Sequence, residues 1–170
     1  SNGTAWYNTG DGTGQIKFAS ISNKIDNTAL AESSTGEISI IATNNNVMWY
    51  STNFGQTYLP SQSPKQNWTA LAASADADYA YATVKYGQIY RSLPAQLDDD
   101  KYTSPGYYWD ILENSPNRSW TGIATTQSGE CVIACASTGD IFISEDYGDT
   151  WVYSFLPDKH GESPVWTGVT

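Results

Sequence analysis

The sequence predicts an all-β fold of short antiparallel strands, and three observations carry that prediction. The first is composition. Charged residues make up 15% of the 170-residue chain, against about 25% in an average soluble protein. Ser, Thr, Asn and Gly take their place, a texture of short strands and tight turns, and the helix formers that a bundle needs are scarce. The second is the aromatic content of 14%, with seven Trp and twelve Tyr. These residues sit in short runs punctuated by Gly, Asn, Asp or Pro, which is how strands and their turns read. The third is that the chain repeats itself. Its length fits one domain that can bury a core without staples.

The repeat has three markers. The first is Asn27-Thr-Ala-Leu-Ala31, Trp68-Thr-Ala-Leu-Ala72, Trp120-Thr-Gly-Ile-Ala124 and Trp166-Thr-Gly-Val-Thr170, with Thr28, Thr69, Thr121 and Thr167 spaced by 41, 52 and 46 residues. The second reads Gly55-Gln-Thr-Tyr58, Gly106-Tyr-Tyr-Trp109 and Gly148-Asp-Thr-Trp151. The third, Ser63-Pro64, Ser115-Pro116 and Ser163-Pro164, precedes each Trp-Thr start. From the repeat Thr to the last aromatic of the second marker is 30 residues in the first and third copies and 40 in the second. The middle copy therefore carries an insertion of about ten residues around Leu93 to Thr103, judged against the common repeat length.

Between markers each unit holds four extended runs. In the third they are Trp120 to Thr125, Cys131 to Ala136, Asp140 to Ser144 and Thr150 to Phe155; in the second, Trp68 to Ala73, Tyr79 to Val84, Gln88 to Ser92 and Tyr107 to Leu112. Four antiparallel strands in about 40 to 50 residues make the blade of a β-propeller. The expected blades span about residues 27–60, 68–113 and 120–156 of a single propeller-type domain or fragment covering 1–170. Ala5-Trp-Tyr-Asn-Thr-Gly-Asp-Gly12 aligns with Met48-Trp-Tyr-Ser-Thr-Asn-Phe-Gly55, so residues 5–18 read as the last two strands of a preceding blade, and residues 166–170 as the first strand of a following one. Closed rings usually have four to eight blades. A ring of four could close by joining both ends in one blade, without its second strand; the other options are a piece of a larger ring or an oligomer that completes it.

Charge narrows the partners. Eight basic residues face eighteen acidic ones, a net charge of −10, and the only Arg residues are Arg91 and Arg118. Nucleic acid needs clustered Lys and Arg, and an anionic membrane asks for the same. No apolar run approaches the roughly 18 to 20 residues of a membrane-spanning helix. The first residue is Ser1 and no signal-peptide pattern follows it, which reads as a processed, recombinant or truncated product. Cys131 and Cys135 share one predicted strand. Four residues of strand span about 13 Å, too far for a disulfide, so both read as small apolar residues on one face.

Ser144-Glu-Asp-Tyr-Gly-Asp-Thr-Trp151 resembles the Asp-box, the Ser-x-Asp-x-Gly-x-Thr-Trp turn of bacterial-neuraminidase-type repeats. Ser51-Thr-Asn-Phe-Gly-Gln-Thr-Tyr58 is similar to it, with Asn53 for the Asp and Tyr for the Trp. The second copy keeps Ser92 and the Gly106-Tyr-Tyr-Trp109 end around its insertion. Sialidases, sortilin-type receptors, photosystem II stability factors, xyloglucanase-type glycosidases and many secreted or viral adhesins share the motif. The resemblance implies a propeller and no single function. It also implies a structural role for Ser144, Asp146, Gly148, Thr150, Trp151, Ser51, Asn53 and Gly55, in the turn between third and fourth strands. Asp146 would accept bonds from the turn backbone, Gly148 would permit positive φ, and Trp151 would pack between blades.

Enzyme chemistry finds little to hold. The sialidase resemblance fails where those enzymes use three Arg on the substrate carboxylate, because this chain has two. His160 has no visible partner motif, and Asp98-Asp-Asp100 are neighbours in a predicted loop, where adjacent acids repel and stay solvated. No catalytic residue, metal site or cofactor is expected. What remains is surface. The turns Asn44-Asn45-Asn46, Lys85-Tyr86-Gly87 and Ser137-Thr-Gly139, with the links between blades, offer amides, hydroxyls and aromatics to a sugar or protein. Asn45, Lys85, Tyr86, Arg118 and His160 are the candidate ligand-binding residues. The expected function is a non-catalytic binding or adhesion module for a glycan or protein, extracellular, cell-surface or virion-associated. The alternatives are a fragment of an Asp-box glycoside hydrolase and an assembly scaffold like the photosystem factors.

Overall fold

A computed structural model describes residues 27–93, 104–154 and 167–169, and the backbones of four short strands outside them. The chain is all-β, and every strand pair is antiparallel. Strands β1 (Thr4–Asn8) and β2 (Ile16–Ser20) form a two-stranded ladder with Trp6 opposite Phe18. The first blade is β3 (Asn27–Glu32), β4 (Ser39–Asn46), β5 (Trp49–Ser51) and β6 (Leu59–Pro60). The second opens with β7 (Gln66–Ala73), β8 (Ala80–Gly87) and β9 (Ile89–Ser92). The insertion then forms a small hairpin of β10 (Leu97–Asp98) and β11 (Lys101–Tyr102) before β12 (Asp110–Ile111) closes the blade on β9. The third is β13 (Arg118–Thr125), β14 (Val132–Ala136), β15 (Ile141–Ser144) and β16 (Val152–Ser154).

Two details depart from the sequence reading. Asp98 lies in a strand opposite Lys101 rather than in a loop, while Asp99 and Asp100 fall outside the described residues. The fourth strands are shorter than their aromatic runs, because Trp109 and Trp151 serve the turn and not the ladder.

The three blades join into one twelve-stranded sheet that does not close. The joints explain the first marker. β7 and β13 each begin two residues before the repeat Trp, and these stubs pair with the end of the preceding blade's second strand: Asn67 with Asn44, and Arg118 with Gly87. The register then shifts at the repeat Thr, between Trp68 and Ala70 and between Trp120 and Gly122. A bulge of this kind re-aims a strand. Here it carries the chain from the edge of one blade into the ladder of the next. Thr69 Oγ1 stays 2.8 Å from Thr83 Oγ1 across the shift. The indole N–H of Trp68 donates to the Asn46 carbonyl and that of Trp120 to the Gly87 carbonyl, each at 2.9 Å.

The cores lie between blades. Ala31, Ile40, Met48 and Tyr50 of the first blade meet Trp68, Leu71, Ala82 and Trp109 of the second. Tyr81, Ile89 and Leu112 of the second meet Trp120, Ile123, Ala134 and Phe142 of the third. Strand alternation makes this possible, because each blade presents one apolar face to each neighbour. The third marker is also explained. Ser63 Oγ accepts the Met48 N–H at 2.7 Å and Ser115 Oγ accepts the Ile89 N–H at 2.9 Å, so each pins a link to the start of a third strand. Cys131 and Cys135 are both free thiols, half-buried and buried.

Candidate functional site

Up-and-down strands send successive turns to alternate ends of the sheet. One end collects the turns between second and third strands and the links between blades. The other collects the remaining two turns of each blade. Among the described residues the two ends differ in charge. Glu37, Asp76, Asp78 and Glu130 lie in the turns between first and second strands, and Glu145, Asp146 and Asp149 in a turn between third and fourth, all at one end. The opposite end carries Lys65, Lys85 and Arg118 against Glu113 and Asp140.

The acidic end is built for structure. Ser144 Oγ accepts the buried Gly148 N–H at 2.8 Å and donates to Asp146 Oδ1 at 2.7 Å. Asp146 accepts the Thr150 N–H at 2.8 Å and the Thr150 hydroxyl at 2.6 Å. These bonds from Thr150, with that from Ser144, hold the Asp146 carboxyl below its ordinary value of 3.8. The first blade repeats the design with an amide. Asn53 Oδ1 accepts from Ser51 Oγ and from the Thr57 N–H, both at 3.0 Å, while its Nδ2 donates to Thr57 Oγ1 at 2.9 Å. Gly55 N–H donates to Ser51 Oγ at 3.0 Å. In the second blade Ser92 Oγ accepts the Gly106 N–H at 3.0 Å across the insertion. The closing Trp of each of the last two boxes donates to the carbonyl of its Gly, Trp109 to Gly106 at 2.8 Å and Trp151 to Gly148 at 2.9 Å.

A fourth marker, invisible to the motif reading, closes the turns between first and second strands. Ser33, Ser74 and Thr126 occupy one position; their hydroxyls accept the N–H of Ile38, Tyr79 and Cys131 at 3.1, 3.1 and 3.2 Å. Three residues on, Gly36, Ala77 and Gly129 all have positive φ, at 73, 60 and 82°. In the second blade Ser74 also donates to Asp76 at 2.6 Å, which holds that carboxyl low. Burial, with the Asp76 charge beside it, pushes Asp78 up.

At the cationic end, Asn45 and Tyr86 occupy the same place in their turns and share a φ of 58°. Asn tolerates that left-handed conformation; a bulky aromatic residue there is an outlier. Tyr86 is nonetheless 72% exposed, and the Lys85 ammonium sits 5.4 Å from its ring centroid. Arg118 pairs through its backbone with Gly87, which brings it beside Tyr86 from the next blade. Its Nε–H donates to Asp140 at 2.9 Å, its Nη1 to the Asn117 carbonyl at 2.9 Å, and its guanidinium lies 5.4 Å from the Phe142 ring centroid. Thr138 donates to the same Asp140 oxygen at 2.8 Å. The structure thus gathers Lys85, Tyr86 and Arg118 at one blade junction and puts Asn45 at the equivalent turn of the first blade. Arg118 is already engaged, so it orders the junction as well as charging it. His160 lies outside the described residues.

Among the described residues, no three His, Cys, Asp or Glu side chains are grouped to hold a metal ion. No helix among them is long and apolar enough to cross a membrane.

No family model matches the sequence, and no curated protein matches it. Solved structures do resemble the fold. YCF48 from Cyanidioschyzon merolae superposes with a TM-score of 0.59 at 16% identity, over 76% of this chain and 39% of that one. YCF48 bound to D1 peptide is similar at 12% identity. The GH74 enzyme of Niastella koreensis gives a TM-score of 0.55 at 18% identity, over 75% of this chain and 18% of that one. The β-propeller domain of Cps50 (Swd1) from Myceliophteria_thermophila gives 0.61 at 13% identity, over 81% and 47%. The chain spans less than half the length of each of these neighbours. At such identities the likeness establishes the fold, which is that of β-propeller blades.

Proposed function

We propose that the chain is a non-catalytic binding module that takes a protein or glycan partner on the end carrying Asn45, Lys85, Tyr86 and Arg118. One observation carries the reading: Tyr86 is held out to solvent in a backbone conformation that suits Gly or Asn. Non-glycine residues in this region cost of order 1 to 3 kcal/mol and cluster at functional sites. A solvent-exposed ring gains nothing from the core in return. The ring presents an apolar face, the neighbouring Lys85 adds a cation, and Arg118 stands across the junction. That set suits an anionic or hydroxyl-rich ligand. A peptide is supported as a partner class by the likeness to YCF48, which has been solved with D1 peptide. An extracellular, cell-surface or virion location belongs to the same proposal.

The test separates stability from binding. Tyr86→Gly relieves the φ of 58°. It should leave the unfolding midpoint unchanged or raise it. Affinity for a ligand found by glycan array or peptide array should fall by about 1 to 3 kcal/mol, as for an aromatic anchor. Undiminished binding by the folded variant would remove this end from consideration. Turnover of a glycoside, lost on changing a single Asp or Glu, would favour the hydrolase-fragment alternative instead.

A further inference from the structure

The two seams between blades carry different chemistry at matched positions on their outer rims. Ladder register and the turn motifs fix the matches. Tyr50 and Leu59 of the first blade correspond to Arg91 and Asp110 of the second. Tyr107 and Tyr108, which follow the box Gly106, correspond to Asp149 and Thr150, which follow Gly148. Gln62 and Asn114 each precede a Ser-Pro and each bond the matched box carbonyl. The Gln62 N–H donates to Tyr107 at 2.8 Å, and the Asn114 Nδ2 donates to Asp149 at 3.1 Å.

At the second seam these positions pair as charges, with Arg91 Nη1 2.8 Å from Asp149 Oδ1. At the first seam the same places are aromatic or apolar. Tyr107 meets Tyr50 edge-on with ring centroids 5.8 Å apart, and Tyr108 meets Tyr107 in the same way at 4.7 Å. The rim stays open nonetheless: Leu59 is 55% exposed and Tyr108 is 42% exposed. Both walls of this seam lie within the chain, so a blade before or after it would not cover them. Polar atoms stand among the rings. The Tyr107 hydroxyl accepts the Gln62 Nε2–H at 3.2 Å and keeps its own proton to donate.

We propose that the rim of the first seam binds a neutral hexopyranose ring of an oligosaccharide. Such a ring has a flat C–H face bordered by hydroxyls, which matches exposed aromatic and apolar side chains set beside an amide and a phenol. None of the first-seam side chains is charged near neutral pH, so an acidic sugar gains nothing there. The rim is a few side chains wide, whereas a stable protein contact takes roughly 20 to 30 residues a side. Lys85, Tyr86 and Arg118 take no part in it, so the site stands independently of the end that they occupy.

The experiment is calorimetric titration of the 170-residue chain with three neutral probes, the β-1,4-linked tetramers of glucose, mannose and galactose. Tetragalacturonate serves as the charged comparison and acetyl-Leu-Leu-Phe-amide as an apolar peptide. At least one neutral tetramer should bind saturably, and more tightly than tetragalacturonate. Tyr108→Thr and Leu59→Asp install the residues found at the matched places of the second seam. Each should weaken that binding about tenfold or more, as for a contact anchor, with an unchanged unfolding midpoint. Tyr86→Gly should leave it unchanged. No saturable binding of any neutral tetramer, equal or tighter binding of tetragalacturonate, uptake of the peptide in place of every sugar, undiminished binding by both folded rim variants, or loss in Tyr86→Gly would each overturn the proposal.

Discussion

The turn glycines give an internal control for the contact between blades. Gly36 and Gly129 occupy the same turn position with φ of 73 and 82°, yet their surroundings differ. A Cβ built on Gly36 meets nothing within 4 Å, whereas one on Gly129 would stand 2.7 Å from Tyr79 Cβ of the neighbouring blade. Tyr79 Cβ cannot swing away, because it is bonded to the strand backbone. Gly36→Ala therefore carries only the left-handed penalty of about 1 to 2 kcal/mol, offset by about 0.4 to 1 from a less flexible unfolded chain. The net loss is about 1 kcal/mol by those two terms. Gly129→Ala adds the strain of overpacking, about 1 to 3 kcal/mol, for a total near 2 to 4. Ala77→Gly runs the other way: relief of the strain is offset by the freer unfolded chain and by the loss of a fully buried methyl worth about 0.8 kcal/mol. Its net effect is close to zero. Urea unfolding followed by Trp fluorescence measures all three, with an unchanged m-value as the sign that only stability moved. Equal costs for Gly36→Ala and Gly129→Ala would refute the packing of Tyr79 on Gly129, and with it the juxtaposition of the second and third blades.

Three further outcomes follow from the same bonds. Ser144→Ala strands the buried Gly148 N–H and should cost about 1 to 3 kcal/mol in a urea titration, whereas Asp146→Asn should cost less, because Asn53 already fills that role in the first blade. The Asp146 carboxyl lies below 3.8 in the folded state, so its contribution is present above that value and fades as pH falls through the lower, folded one; a pH series of thermal melts should show a steeper acid limb for wild type than for Asp146→Asn. Tyr81→Phe removes the buried hydroxyl that donates to the Gly129 carbonyl at 2.7 Å and should lower stability by about 1 kcal/mol. Burial lifts the Tyr81 phenol well above its ordinary value of 10, so its share of the phenolate absorbance should appear only as the protein unfolds.

The repeat was legible because each marker makes a bond that every blade needs. The Trp ties its blade to the one before, the Thr sits at the bulge, and the Ser of Ser-Pro anchors a third strand. The fourth marker was not legible. Its positions share an oxygen and a positive φ rather than a residue type, as Ser33, Ser74 and Thr126, or Gly36, Ala77 and Gly129, make plain. The order of strands in the repeat also puts the turn residues Asn45, Lys85 and Tyr86 at one end, since strand alternation alone decides that. The joining of Arg118 to the same junction depends on the pairing of Arg118 with Gly87 across two blades. No local pattern encodes it. Asp146 accepts a bond from the turn backbone, as its motif implies, from the Thr150 N–H; the buried Gly148 N–H goes instead to Ser144, because side-chain depth follows from packing and not from the motif.

The bond from Gly106 N–H to Ser92 Oγ has a further consequence. It cinches the base of the insertion, whose strands β10 and β11 pair with each other in a separate two-stranded sheet. A Cβ on Gly106, at φ 79°, would stand 2.9 Å from Ile40 of the first blade, so the position of that base is set by the core and not by the loop. Once a loop is tied at its root, doubling its length adds only about 0.6 kcal/mol of closure entropy. The middle blade thus offers a grafting port. A foreign epitope spliced between Ser92 and Gly106 would be displayed from the acidic end, and the blade that carries it would keep its ladder, its Trp109 bond and its neighbours.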